Sequence, residues 1–186
     1  MSTRRSVAAV QTLLAAVAAL ALLECRARPA QRPQSQAEQA APAVPPAALV
    51  KVYLFFPGDD TLLHREIRDV PELSTAGTTR IRSVVEELLA GSQSGLAPAF
   101  PWAATVEAVF VDRSGNAFVD FTAPPADAVQ GSDTEIMLAY AVVNTVVANC
   151  AGVERVQLLF GGHEVDTLGH LDLSRPLAAR PQLVAP

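Results

Sequence analysis

From residue 49 onward the spacing of apolar and polar positions switches between two periods, and each switch marks an element. "LVKVYLFF" (49–56) is β-branched and aromatic and stops at the turn "PGDD", which predicts a strand. Apolar residues fall on both parities, so both faces of this strand are covered at least in part. "TLLHREIRDV" follows as a second strand closed by Pro71, making a hairpin about Pro57-Gly58-Asp59-Asp60, with His64 exposed on its alternating ribbon. Ile81, Val84, Val85, Leu88 and Leu89 then recur at a period of about 3.6 residues, predicting a helix from Thr78 or Thr79 with Gly91 as its C-terminal cap.

"GSQSGLAPAFPWAA" is punctuated as a loop. "TVEAVFVD" and "NAFVDFT" flank "RSG", a second hairpin signal. Alternation assigns Val106, Ala108 and Phe110 to one face of the first strand, and Ala117, Val119 and Phe121 to one face of the second. A second helix opens at "SDTE" with Ser132 and Glu135 spaced as a capping box, and buries a stripe of Ile136, Ala139, Tyr140, Val143 and Val147. "VERVQLLF", the turn "GGHE" and the short return "VDTLG" complete the order. Paired strands between helices predict an α+β fold, two helices packed on one face of a mainly antiparallel sheet.

The 49–180 domain is preceded by different sequence and followed by a short tail, 181–186. Residues 1–25 have a basic start and an apolar run from Ser6 to Leu23, the order of an export signal. Leu22, Leu23 and Cys25 resemble a bacterial lipoprotein cleavage site with Cys25 as the lipid attachment point, while Glu24 stands where a small residue is usual. Three outcomes stay open: a lipoprotein, an uncleaved signal anchor, or a cleaved soluble product. All place the domain outside the cytoplasm. Residues 26–48, rich in Pro, Ala and Gln, bury too little to fold and form a stiff linker reaching up to roughly 70 Å when extended.

The chain has 186 residues, half of them hydrophobic, and a net charge of −5. Five of its 14 basic side chains but only two of its 19 acidic ones precede residue 48, leaving nine against 17 beyond it, a net of −8. That field repels phosphate backbones, so nucleic acid is not an expected partner. Cys25 lies outside the fold, and Cys150 ends an apolar helical pattern as a small buried hydrophobe.

The run from Val52 to Leu177 resembles the GerMN domain of spore-germination proteins and of LpqB-type lipoproteins. "VYLFFP", "VVEELLAGSQSGL", "AFPWAATVEAVFVDRSGNAFVDFT" and above all "GVERVQLLFGGHEVDTLGHLDLSRPL" carry the likeness. The resemblance implies an α+β domain, commonly exported and membrane-attached, used in envelope or spore-side assemblies and without established catalytic residues.

Candidate chemistry is sparse. His163, Glu164, Asp166, His170 and Asp172 are zinc-ligand types, but their spacing fits no metal motif, and a glycine-rich turn accounts for their polarity. "GSQSG" has Gln93 where a nucleophile elbow has serine. Asp112 is expected to start the hairpin turn, and Asp120 to face water or hold a backbone amide. In "DLSRPL", Asp172 and Ser174 bond local amides while Leu171, Leu173 and Leu177 close a strap over the core. Phe100 and Trp102, bracketed by prolines, form either an exposed apolar anchor for a partner or a plug over the sheet edge. No catalytic residue, metal or cofactor is assigned. The expected function is a non-enzymatic, membrane-tethered interaction module that meets an envelope protein; the alternative is a binder of a small ligand or wall polymer.

Overall fold

Two helices and nine strands make up the fold in a computed structural model of the chain, which describes residues 48–71, 77–125, 128 and 131–186. The expected signal segment with Cys25, and the expected linker up to residue 47, lie outside the described residues. β1 (Leu49–Pro57) and β2 (Leu63–Pro71) pair antiparallel as the first hairpin, and α1 (Gly77–Leu89) follows. β3 (Val106–Val111) and β4 (Asn116–Phe121) form the second hairpin, and α2 (Ser132–Asn149) leads into β5 (Arg155–Phe160). The short strands β6 (His163–Glu164), β7 (Thr167–Leu168), β8 (Leu171–Asp172) and β9 (Leu177–Ala178) come last.

The α+β class is as expected, but the strands are not one sheet. β1–β2 stands apart from a five-stranded sheet of order β3-β4-β5-β6, in which β9 also pairs with β5. β4 and β5 run parallel, Ala117 opposite Val156 and Val119 opposite Leu158. Parallel neighbours need a crossover, and α2 supplies it.

α2 therefore lies between the hairpin and the sheet and is buried on more than one side. Met137, Leu138, Ala141, Val142 and Val146 are buried beside Ala139, Tyr140 and Val143, whereas Ile136 and Val147 of the expected stripe are only partly covered. The expected capping box is not formed. Gly131 caps α2 without a side-chain bond, and Glu135 turns away to accept the His170 amide at 2.7 Å. α1 follows its pattern: Ile81, Val84, Val85 and Leu88 are buried, and Gly91 ends the helix at φ 89°.

The turn between β3 and β4 is held as expected. Asp112 accepts the amides of Ser114 and Asn116 at 2.8 and 2.9 Å, and Gly115 takes φ 77°. A β-bulge between Val106 and Ala108 changes the facing of β3. Val109 and Val111 lie opposite the inward residues Val119 and Ala117, so Ala108 and Phe110 belong to the outer face. Phe110 is 59% exposed, which corrects its assignment to one face with Val106.

Candidate functional site

Eight polar or charged side chains are buried among the described residues: Glu66, Arg68, Asp120, Glu135, Asn144, Thr145, Asn149 and Gln157. Each bonds main-chain groups elsewhere in the fold. Thr145 and Asn149 of α2 accept the amides of Phe55 and Tyr53, closing the edge of β1 that β2 leaves free. Asn144 accepts the Arg180 amide, and Arg180 lies over the Tyr140 ring at 4.5 Å, fixing the C-terminal segment. Val184 then bridges to Leu63. Gln157 donates to the Leu173 carbonyl, tying the strap across β5, and Asp120 accepts the Gly162 amide.

The densest of these networks was not visible as a site in the sequence. Glu66 accepts the amides of Gln93 and Ser94 and the Ser92 hydroxyl, so the loop after α1 wraps a carboxylate. Arg68 bonds that carboxylate at 2.6 Å and donates to the carbonyls of Glu87 and Gly91, satisfying the C-terminus of α1. Burial raises the Glu66 pKa, but bonds from Arg68, Ser92 and Gln93 overcome it and bring the pKa down to about 2. It is a permanent anion that shapes a loop.

The histidine–carboxylate stretch spreads out. His163, Glu164, Asp166, His170 and Asp172 are all exposed, and no three His, Cys, Asp or Glu among the described residues converge as a metal site. Asp172 accepts the Ser174 amide, and Leu173 is buried beneath it. His64 bonds Asp60 with 38% of its side chain exposed. Cys150 is buried and free, its thiol pushed up to about 11 by that burial, partly offset by Arg80.

The Phe100–Trp102 loop divides into two roles. Phe100 is 5% exposed and meets Phe121 at 4.9 Å and Trp102 at 5.0 Å between centroids. It is a core residue, so the apolar anchor reduces to Trp102. Trp102 is half-buried, edge-on to Phe100 and 6.3 Å from Phe160. Its indole Nε1–H is buried without a hydrogen-bond partner among the described residues. The same loop lines a cavity of about 320 Å³, where Pro98 and Pro101 face Pro57, Thr61 and Met137. A second groove of about 450 Å³ lies between β1, α2 and the C-terminal segment, with Phe55, Val147 and Val184 apolar and Arg65 and Asn144 polar.

Such a module, small and α+β with its buried polarity bonded to its own main chain, has known counterparts. The family of sporulation and spore germination domains called Germane matches residues 51–166, and the chain belongs to this GerMN-domain family. The tandem GerMN domains of the sporulation protein GerM from Bacillus subtilis have a similar fold, with a TM-score of 0.54 and 19% identity over 70% of this chain and 46% of that one. This chain thus spans about half of that tandem structure. The first GerMN domain of the same protein is similar at a TM-score of 0.51 and 16% identity, over 72% of this chain and 98% of that one. No curated protein matches significantly.

Proposed function

We propose that the chain is a non-enzymatic interaction module, held outside the cytoplasm by residues 1–25 and meeting a protein partner in an envelope assembly of the sporulation or germination type. What supports this is the use of the buried polar side chains: all eight hold main chain, while Ile67, Phe110 and Val111 are large apolar side chains left exposed. Family membership agrees, since these are domains of sporulation and germination proteins rather than of a known enzyme class. The partner surface is centred on Trp102. Trp102 is half-buried at the rim of the aromatic cluster with Phe100 and Phe160, so the uncovered part of its ring is what a partner would meet.

The test is complementation of a strain lacking the gene. Trp102→Ala is expected to abolish rescue while the folded chain accumulates normally, and His163→Ala with His170→Ala is expected to rescue fully. The reverse pattern would remove the interaction reading. The groove by Phe55 and Arg65 favours a second reading, a small amphipathic ligand. In that case Val147→Trp, which fills the groove, would abolish rescue and Trp102→Ala would not.

A further inference from the structure

β3 is an edge strand of the five-stranded sheet. Its hydrogen-bonding pattern follows from one bond: the Asp112 amide donates to the Asn116 carbonyl, so residues 112, 110 and 108 point their main-chain groups at β4. Those of Val109 and Val111 point the other way. Among the described residues nothing pairs with them.

This free edge has two ends. At one, the Arg82 guanidinium donates to the carbonyls of Val106 and Glu107, closing the bulged part of the strand. At the other, Asp112 turns the chain into the hairpin loop. What remains open is Ala108 to Asp112, and its midpoint is Phe110. The segment has no lysine or proline to blunt it, and it exposes Phe110 by 59% and Val111 by 40%.

We propose that two copies of this chain pair antiparallel through β3, about a two-fold axis at Phe110. In that register Val109 faces Val111 of the second copy, and the reverse, so both outward-bonding residues of one strand meet both of the other. Phe110 meets its own counterpart on the axis, at the closer, non-hydrogen-bonded spacing. Just beyond each end of the paired segment, the exposed Glu107 at the bulge of one copy comes beside the exposed Arg113 in the turn of the other, so each end sets a negative side chain near a positive one. Shifting the axis to Val109 or Val111 loses both charge pairs. Self-complementarity of this kind is what a two-fold interface requires.

The contact is small beside the ~800 Å² per partner of a stable complex, so pairing is micromolar or weaker in solution. Confinement on a membrane raises the effective concentration and makes such pairing count. The inference rests on reading the domain as an interaction module. Trp102 is no part of this edge, so either surface can fail without the other.

Sedimentation equilibrium on residues 46–186, the compact unit that carries the hydrophobic core of the described residues, tests it. A concentration-dependent dimer is expected, lost in Phe110→Lys. Glu107→Arg or Arg113→Glu alone is expected to weaken it by about tenfold. The two reversals together are expected to restore it, which shows that the single variants fold. Amide exchange at Val109 and Val111, but not at Phe110, should slow as concentration rises. A monomer up to millimolar concentration, a dimer indifferent to Phe110→Lys, or a double reversal without recovery would each overturn the pairing.

Discussion

Glu66 and Arg68 stand two positions apart on β2, 2.6 Å from each other, and each side chain is only 8% exposed. Ile67 between them is 51% exposed. The strand thus turns these two charges inward and an isoleucine out, while Arg65 and Asp69 stay exposed. The loop after α1 needs an acceptor for its amides, and α1 needs a donor for its last carbonyls; Glu66 and Arg68 supply the two.

Glu66→Gln should therefore destabilise the domain near neutral pH although it keeps the shape. A carboxyl lowered from 4.5 to about 2 on folding contributes about 3 kcal/mol above pH 4.5, and stranding Arg68 without its charge costs a similar amount. The sign fixes the window: a depressed pKa gives stability that is full above the unfolded value and is lost as pH falls toward 2. Urea unfolding at pH 7 and at pH 2.5 measures this, and the gap between the two proteins should narrow sharply at the lower pH.

Gly169 is expected to resist substitution. It has φ 58°, and a Cβ there would overlap the Glu135 carboxylate, which must stay in place to accept the His170 amide. Gly169→Ala should cost about 2 kcal/mol or more, combining left-handed backbone strain with the clash. In a Glu135→Ala background only the strain remains, so a double-mutant cycle by denaturant unfolding should show positive coupling between the two sites.

These two networks mark the limit of what the sequence made legible. Both helices, both hairpins, the Asp112 turn and the Leu173 strap followed from period, turn residues and apolar runs. The parallel pairing of β4 with β5 did not, because a strand's composition does not name its neighbour. One extra residue in the bulge at Glu107 moved Ala108 and Phe110 to the other face, since a period of two inverts with a single slip. Glu135 read as a helix cap and Glu66 gave no signal of its own; only the tertiary fold brings unbonded amides to them.

Cys150 should be inert in the folded protein. Burial raises its thiol to about 11, so almost no thiolate is present at neutral pH, and the side chain is 4% exposed. Alkylation by iodoacetamide at pH 8, followed by peptide mass analysis to separate Cys150 from Cys25, should label Cys150 only after denaturant is added. Rapid labelling in native buffer would show that the end of α2 opens locally.

The two aromatic residues of the 97–104 loop should separate under mutation. Phe100 is fixed between Phe121 and Trp102, and truncating it to alanine removes a buried ring at a cost of about 3–5 kcal/mol, enough to unfold a marginal domain. Trp102 is half-buried at the rim of the same cluster. Trp102→Phe keeps an aromatic face toward Phe100 and removes the unpaired indole donor, so it should leave stability within about 1 kcal/mol of wild type. Thermal unfolding of the two variants checks the ranking. If Trp102→Phe were as damaging as Phe100→Ala, Trp102 would be a core residue, and the partner surface would have to lie elsewhere on the domain.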